Sequence, residues 1–168
     1  MSDERSRSYG WEDPLATLAD TADLSGLEAI RQVASGELPQ PPIAATLGFR
    51  LVSAEEGKAV FECEPAEFHY NPIGTVHAGL ASTLLDSAMG CAFVTTLEHL
   101  VGWTTLELKA NFTRPLTVDT GLVRCTGTVV HPGRTVATTE ARLEDEQGLL
   151  YAHGTSTILV LDGRGDRR

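Results

Sequence analysis

Hydrophobic and polar residues in the second half of the chain follow a pattern that predicts one long helix and then four strands. The helix is expected over Val76–Leu97, a stretch dense in Ala, Gly, Ser and Leu. After it, Leu106, Leu108, Ala110 and Phe112 alternate with polar residues, and this period of two predicts a strand with one buried face. Turn sequences predict three further strands, near 121–130, 135–144 and 149–161.

Two more strands are expected before the helix, near 49–53 and 59–64, with a hairpin turn at 56–58. Short connections predict antiparallel pairing among the last four strands. A single apolar helix has to be covered, and one curved antiparallel sheet can wrap it. The expected fold class is therefore α+β, with an antiparallel sheet wrapped around one long central helix.

The first 42 residues are interpreted as a helical extension rather than a second domain. Asp13 followed by proline predicts the start of a short helix that runs to about residue 22. Ser25 and Glu28 fit a capping box, and Gly36 fits a helix end, so a second helix is expected between them. Three prolines at positions 39–42 then predict a stiff linker. The predicted organisation is an extension and linker at 1–42, a body at 43–161 and a charged tail at 162–168.

Composition narrows the class of protein. The 168 residues suit one domain, and 42% hydrophobic with 21% charged residues is typical of a globular protein. The net charge of −10 disfavours a general nucleic-acid binder, because acidic proteins repel phosphate backbones. This charge lies in the first 100 residues, since residues 101–168 hold eight basic and eight acidic residues. The second part can therefore offer basic groups to an anionic ligand.

The expected location is the cytoplasm. Cys63, Cys91 and Cys125 are widely spaced and odd in number, which predicts reduced thiols and neither a metal site nor a disulfide framework. The first eight residues contain no apolar segment, so no signal peptide is expected. Residues 76–97 have the length of a membrane span, but the central Asp86 would cost about 2.5–3.5 kcal/mol on insertion. We therefore expect no association with a membrane.

Asp86 is the only formally charged residue between positions 71 and 97. A lone carboxylate in the middle of a buried helix is costly unless it is paired or functional. One interpretation is a structural Asp that is hydrogen-bonded to Ser or Thr neighbours. The other is a catalytic group, and the residues before the helix favour it.

The segment Asn71–Gly79 leads a glycine-containing loop into the start of the helix. Free backbone N–H groups at a helix start carry the positive end of the helix dipole, and they suit a carbonyl oxygen that becomes negative during acyl transfer. The alternative is that these glycines serve only close packing.

Helix geometry adds a constraint. Ala78 and Asp86 are eight residues apart, which is about 12 Å along one helix. A carbonyl held at Ala78 is therefore out of reach of Asp86 in the same helix. Two copies related by a two-fold axis would bring each helix start beside the other copy's Asp86. If the site is catalytic, we expect two subunits to share it.

The chain resembles the hotdog-fold acyl-CoA thioesterases of the PaaI-like, phenylacetate-degradation type. The resemblance covers roughly residues 43–161. It depends on Asn71, Gly74, the His77-Ala78-Gly79 sequence and Asp86, whose spacing matches the family signature. The stretch 105–115 after the helix also resembles the corresponding strand of the family. The absence of a Glu at the position of Asp86 argues against the family branch that uses one.

The resemblance implies roles for these residues. Asp86 would be the general base or nucleophile, and the N–H of Ala78, helped by Gly79, would polarise the carbonyl. Asn71 would help to orient the thioester or the attacking water, and Thr105 would hold the nucleophilic water. His77 would support the loop or contact the thioester side, and Gly74 would bind substrate. Ala stands at position 78 where the family usually has Gly, so its N–H is available only if its φ is negative.

The expected substrate is an acyl-CoA. Arg114 and Arg134 lie where strands are expected to end, and they are candidates for the coenzyme A phosphates. Met89 and Phe68 are candidates for an apolar acyl tunnel. No metal and no cofactor is expected, because hydrolysis by a carboxylate needs neither. The expected assembly is a homodimer that forms a homotetramer.

Two alternatives remain at this point. A hotdog dehydratase or hydratase would use a His with a carboxylate, and His77 with Asp86 could be that pair. A non-catalytic acyl-CoA-binding protein could share the fold. The spacing of the helix-start residues favours a thioesterase over the first alternative. The presence of Asp86, Asn71 and Thr105 together argues against the second, because a binder does not need a charge in its pocket.

Overall fold

One six-stranded antiparallel sheet wraps a single long helix in the computed structural model, which describes residues 4–161. The long helix is α4, Ala78–Val94. Three shorter helices precede the sheet: α1 Pro14–Asp20, α2 Gly26–Ser35 and α3 Pro42–Leu47. The strands are β1 Phe49–Glu55, β2 Lys58–Cys63, β3 Gly102–Phe112, β4 Val123–His131, β5 Val136–Asp145 and β6 Leu150–Leu161. Short 3₁₀ turns cover Glu67–His69 and Val118–Thr120. The predicted α+β hotdog architecture is confirmed.

The strand order is β1-β2-β4-β5-β6-β3, and each neighbouring pair is antiparallel. Strand β3 pairs with β6 and not with β4, although β4 follows it in sequence. The connection between β3 and β4 passes the start of α4, where the Val76 N–H donates to the Leu116 carbonyl at 2.9 Å. The predicted antiparallel pairing among the last four strands is confirmed, although β3 lies at the edge beside β6 and forms no hairpin with β4.

Helix α4 is shorter than predicted at both ends. Val76 forms an isolated bridge with Tyr70, and His77 is the N-cap residue, so the helix starts at residue 78. At the other end, the hydroxyls of Thr95 and Thr96 donate to the carbonyls of Ala92 and Phe93 at 2.7 Å each. Side chain to backbone bonds of this kind compete with continuation of a helix.

The core lies between α4 and the concave face of the sheet. Leu84, Leu85 and Met89 of α4 are fully buried and belong to one hydrophobic cluster with Phe61 and Leu143 of the strands. Gly127 of β4 is required for this close packing, because a Cβ there would lie 2.2 Å from the Ala88 carbonyl oxygen.

Strand β3 departs from the alternation that its sequence predicts. Its pairing with β6 shifts between Thr105 and Glu107, so Leu106 is an extra residue in a β-bulge. Leu106 is 56% exposed, and Phe112 at the strand end is 49% exposed. The predicted burial of these two side chains is therefore wrong. Because of the bulge, both Thr105 and Leu108 are half-buried on the inner side of the strand.

The extension contains the two predicted helices. Asp13 caps α1, the Ser25–Glu28 capping box is present at the start of α2, and Gly36 ends that helix at φ 84°. Helix α3 was not predicted. Its first residue is Pro42, since proline is favoured at the first turn of a helix. The expected boundary between residues 42 and 43 thus falls inside α3, and the expected charged tail lies outside the described residues. Within residues 4–161, no helix has the length and apolar character needed to cross a membrane.

Candidate active site

Asp86 and Thr105 form a direct pair between α4 and β3. The Thr105 hydroxyl donates to Asp86 Oδ1 at 3.0 Å. Both side chains are half-buried, so the carboxylate keeps partial access to solvent. The second carboxylate oxygen has no protein donor within residues 4–161 and is available to another molecule. The bulge at Leu106 allows Thr105 and Leu108, three residues apart, to face the same inner side of the strand.

Trp103 forms a wall next to this pair and was not among the predicted site residues. It lies two residues before Thr105 on the same side of β3 and packs edge-on against Phe93, with ring centroids 6.1 Å apart. Its indole also covers Gly90, one helical turn after Asp86, where a Cβ would lie 2.6 Å from the ring. Residues two apart on a strand face the same side, so Trp103 could be predicted to face α4 if Thr105 does. The sequence alone does not show which side Thr105 faces.

The loop before α4 is organised by the Asn71 side chain. Its Oδ1 accepts from the N–H groups of Ile73 and Thr75 at 3.0 and 3.2 Å, and its Nδ2 donates to Thr75 Oγ1 at 2.9 Å. Gly74 takes the left-handed conformation, with φ 82°, that closes this turn. Asn71 and Gly74 therefore determine the shape of the loop, and the Asn71 amide is largely occupied within it.

His77 is the N-cap residue of α4. Its Nδ1 accepts the Gly79 N–H at 2.8 Å, which satisfies one of the donors at the helix start. The expectation that Gly79 helps to polarise a carbonyl therefore needs correction, since its N–H is already bound to His77. Ala78 is the first helical residue, so its φ is negative, and among residues 4–161 its N–H donates to no acceptor. Ala78 carries the open donor.

The open donor of Ala78 and the carboxylate of Asp86 do not meet within one chain. They lie on the same straight helix, eight residues apart, and the separation along the axis is about 12 Å. A single chain thus holds the two halves of a candidate site at separate positions.

A groove of about 570 Å³ opens beside the start of α4. The body contributes His77, Leu80 and Phe68 to its wall, and the extension contributes Arg7 and Tyr9. The Arg7 guanidinium lies between two rings, 4.2 Å from the Phe68 centroid and 4.8 Å from the Tyr9 centroid. Phe68 therefore lines a groove with polar and aromatic walls rather than a closed apolar tunnel, and the residues from the extension were missed by the sequence analysis.

His69 connects this groove to the helix start. It is 6% exposed, and its Nδ1 accepts the Ala66 N–H at 2.9 Å while its Nε2–H donates to the Leu47 carbonyl at 2.6 Å. Its own carbonyl accepts the His77 N–H at 2.8 Å. Burial lowers the pKa of His69, and the positive charge of Arg7 lowers it further, while the bond to the Leu47 carbonyl acts in the opposite direction.

The remaining candidate residues lie elsewhere. Arg114 is exposed, and its Nη1 donates to the Leu150 carbonyl at 2.7 Å. Arg134 is exposed in the turn between β4 and β5. Met89 is fully buried in the core. Its predicted role in an acyl tunnel is therefore replaced by a packing role.

The three cysteines are free thiols of low reactivity. Burial raises the pKa of Cys63 to about 11, with a smaller contribution from Glu64. Burial also raises the pKa of Cys91 to about 12, and the negative charge of Asp86 adds to this effect. The pKa of the Cys125 thiol is raised by burial alone. Thiolates are the nucleophilic form of cysteine, so none of the three is suited to nucleophilic catalysis.

Comparison with protein families gives a match to the thioesterase superfamily over residues 73–152. The match begins in the Asn71 loop and ends in β6, so it includes α4, Asp86 and Thr105. It does not include the N-terminal extension.

Individual proteins of known name are also similar. A 1,4-dihydroxy-2-naphthoyl-CoA hydrolase of Listeria monocytogenes serotype 1/2a (strain 10403S) is 30% identical over 115 residues, which cover 68% of this chain and 92% of the relative. Human acyl-coenzyme A thioesterase 13 is 33% identical over 108 residues, covering 64% and 76%. The crystal structure of a putative thioesterase related to phenylacetic acid degradation, from Ralstonia eutropha JMP134, aligns with a TM-score of 0.69 at 28% identity, covering 78% and 98%.

Proposed function

The chain belongs to the thioesterase superfamily, and on that premise we propose that it hydrolyses the thioester bond of an acyl-coenzyme A to a free acid and coenzyme A. The observation that carries this proposal is the Asp86–Thr105 pair, a half-buried carboxylate with one oxygen bonded and one open. A carboxylate in this state can activate water or attack a carbonyl carbon itself.

The reaction requires two further actions. The thioester carbonyl oxygen accepts the open N–H of Ala78, where the helix dipole stabilises the negative charge that develops on that oxygen. As the general base, Asp86 takes a proton from the attacking water, the carbon–sulfur bond breaks, and the coenzyme A thiolate receives that proton. As the nucleophile, Asp86 displaces the coenzyme A thiolate and forms an acyl-aspartate anhydride, which water hydrolyses to the free acid while the thiolate takes up the proton released. Thr105 orients the carboxylate, and Asn71 acts indirectly by shaping the loop in front of Ala78.

We further propose that each site is shared by two subunits of a homodimer, which pairs into a homotetramer. The separation of about 12 Å between Ala78 and Asp86 along α4 supports this arrangement, as does the two-fold symmetry of most dimers. The exposed edge strand β3 and its exposed side chains Leu106 and Phe112 offer a surface for the second copy.

Arg114 and Arg134 remain our proposed contacts for the coenzyme A phosphates, since both are exposed cations near strand ends. We also propose a cytoplasmic location. The three free thiols, each with a raised pKa, suit a reducing compartment.

The first experiment is a free-thiol release assay with a panel of acyl-CoAs. Release of coenzyme A with no change in the acyl chain supports hydrolysis. Chemistry at a carbon–carbon double bond would indicate a dehydratase or hydratase, and binding without release would indicate a non-catalytic protein.

The shared site has its own test, which mixes Asp86→Asn and Asn71→Ala proteins after unfolding. Each variant alone is expected to be nearly inactive. A mixed dimer has one site with both changes and one site with neither. Half of a random 1:1 mixture is mixed dimer, so activity should recover to about a quarter of the wild-type value. If native mass spectrometry detects mixed dimers but activity stays at the single-variant level, the shared site is wrong.

A further inference from the structure

The extension lines two cavities. One is an apolar cavity of about 290 Å³ between the extension, the strands β1 and β2, and the second half of α4. The other is the groove at the start of α4, which Arg7 and Tyr9 of the extension line together with His77 and Gly79. Since His77 and Gly79 flank Ala78 in sequence, this groove adjoins the open donor of the candidate active site. The contacts that fix this part of the extension therefore lie close to that donor.

The last three carbonyls of α3 are bonded by side chains from two other parts of the chain. Arg7 of the extension donates to the Ala45 and Thr46 carbonyls, the former at 2.8 Å. The Nε2–H of His69 donates to the Leu47 carbonyl at 2.6 Å. The last carbonyls of a helix lack partners within the helix, so they need donors from elsewhere. Arg7 and His69 thus hold the same helix end, one from the extension and one from the 3₁₀ turn before α4.

His69 also contacts the segment that starts α4. Its Nδ1 accepts the Ala66 N–H at 2.9 Å, so hydrogen bonds fix the buried ring at both nitrogens. Its backbone carbonyl accepts the His77 N–H at 2.8 Å. His77 directly precedes Ala78 in the chain. The fixed ring of His69 therefore restrains the backbone from which the Ala78 N–H projects.

This restraint matters because the start of a helix is weakly held by the helix itself. The first N–H groups have no partner within the helix, and helix ends fray. A donor that stabilises a developing oxyanion has to lie about 2.7–3.1 Å from that oxygen. Loss of one such donor costs about 10²–10³-fold in kcat, so a displacement of the Ala78 N–H should cost part of that range.

From these contacts we infer that His69 is a positioning residue for the open donor of Ala78, and that Arg7 supports it by holding the adjoining carbonyls of α3. The inference rests on the proposed function. Both side chains act through the backbone of His77 and not on the reacting atoms. Both also lie before residue 73, where the family match begins. The donor of the matched region is therefore held in place by residues outside it.

The first test compares two amide side chains that differ by one methylene. In His69→Gln the amide nitrogen reaches the position of Nε2 and keeps the bond to the Leu47 carbonyl, whereas the shorter side chain of His69→Asn does not reach it. His69→Asn is expected to lower kcat about ten-fold or more with little change in KM, because the oxyanion donor acts mainly in the transition state. His69→Gln should restore kcat to within about three-fold of the wild-type value.

His153→Asn is the matched control, since His153 is exposed on β6. It should have the kcat of the wild type. Circular dichroism and thermal unfolding verify that each protein is fully folded at the assay temperature. An unchanged kcat in folded His69→Asn, or an equal loss in His69→Asn and His69→Gln, would overturn the inference.

Arg7 gives a second test that leaves the buried ring in place. Arg7→Met removes the donors to the α3 carbonyls and should lower kcat at least about three-fold with little change in KM. Arg31→Met is its control, because it removes a comparable bond from the extension to the Ala54 carbonyl and should leave kcat unchanged. Equal kcat in the two Arg variants would overturn the part assigned to Arg7. It would overturn the whole inference if neither His69 variant folds.

Failure of the proposed function gives a different result, since the wild type would then release no coenzyme A from any acyl-CoA. Hydrogen exchange of the His77 amide, measured by NMR on protein labelled with ¹⁵N-histidine, then tests the positioning without a substrate. Exchange about ten-fold faster in His69→Asn than in the wild type and in His69→Gln would support the restraint on the helix start. Equal exchange in all three proteins would overturn it.

Discussion

The body (residues 43–161) and the extension (residues 4–42) are held together in different ways. In the body, each strand is hydrogen-bonded to a neighbouring strand, and α4 is buried against the sheet. The extension is joined to the body by individual hydrogen bonds to its backbone. The Gly26 N–H donates to the Leu97 carbonyl at 2.9 Å, Arg31 donates to the Ala54 carbonyl at 3.2 Å, and Gln40 bonds the backbone of Leu51 in both directions. The body holds Asp86 and the helix start. The extension contributes side chains to the walls of both cavities.

This difference separates two properties of the protein. The proposed chemistry depends on Ala78, Asp86 and Thr105, which the family match includes, whereas residues of the extension outside that match form part of the cavity walls. A change in the body is therefore expected to alter turnover for all substrates. A change in the extension is expected to alter stability, or to alter turnover where the changed residue supports the start of α4.

The largest effect is expected for Asp86→Asn. Asn is close to Asp in shape, so the fold should be kept while the base or nucleophile is lost. General-base catalysis alone typically accelerates a reaction about 10²–10⁴-fold. We therefore expect kcat to fall by at least about 10²-fold for every acyl-CoA. Free-thiol release measures it, with circular dichroism as the folding control. Retention of most of the wild-type kcat would assign Asp86 to a structural role.

The next effect is expected where the extension meets α4. A Cβ at Gly26 would lie 1.9 Å from the Val94 carbonyl oxygen, and a backbone atom cannot move away easily. Gly26→Ala should therefore lower the free energy of unfolding by about 1–3 kcal/mol, the usual cost of overpacking. Thermal unfolding and limited proteolysis check it, with cleavage expected first in the extension.

Gly10→Ala is the matched control for this change, because a Cβ at Gly10 has no atom within 4 Å. It should unfold like the wild type. Equal stability of the two variants would show that the contact at Gly26 does not hold the extension to the body.

A smaller effect is expected for Thr105→Val, which keeps the shape of the side chain and removes its hydroxyl. A hydrogen bond to a charged group contributes about 1.5–3 kcal/mol. Part of this should appear as a fall in kcat of about ten-fold with little change in KM, because the carboxylate loses its orientation. Thr104→Val is the control, since Thr104 is exposed on the other side of β3. The pairing with Asp86 has no catalytic importance if both variants have the same kcat.

The smallest effect concerns pH. Because the folded-state pKa of His69 is lowered, the unfolded chain binds the proton more readily than the folded one. The free energy of unfolding should thus be fully retained above about pH 6.5 and fall as the pH drops below it, by at most about 1.4 kcal/mol per pH unit. Urea unfolding at pH 7.5 and 5.5 measures this, and the difference should shrink in His69→Gln. An equal difference in both proteins would contradict the assignment to His69.

Much of the fold could be predicted from local sequence signals. The capping box of Ser25 and Glu28 and the helix end at Gly36 are set by residues close in sequence, so they could be read directly. The isolated charge of Asp86 in an apolar helix was sufficient to identify the centre of the candidate site. These features depend little on what the rest of the chain does.

Features that depend on distant partners could not be predicted in the same way. The pairing of β3 with β6 joins residues about fifty positions apart, and the bulge exists only relative to β6. The position of Trp103 over Gly90 follows from that pairing. Likewise, Arg7 lines the groove only because the extension packs against the body. No short-range sequence pattern predicts that packing.

The bulge at Leu106 has a consequence for how the length of this strand can vary. Glu107 pairs with Thr157 and Thr105 pairs with Ile158, so the two β6 residues are consecutive while Leu106 has no counterpart. Deletion of Leu106 would leave a regular strand in which Trp103 and Thr105 still point towards α4. A one-residue gap at this position in an alignment of homologues is therefore neutral for the candidate active site, whereas loss of Thr104 with Leu106 in regular pairing would turn Thr105 to the outer face of the sheet.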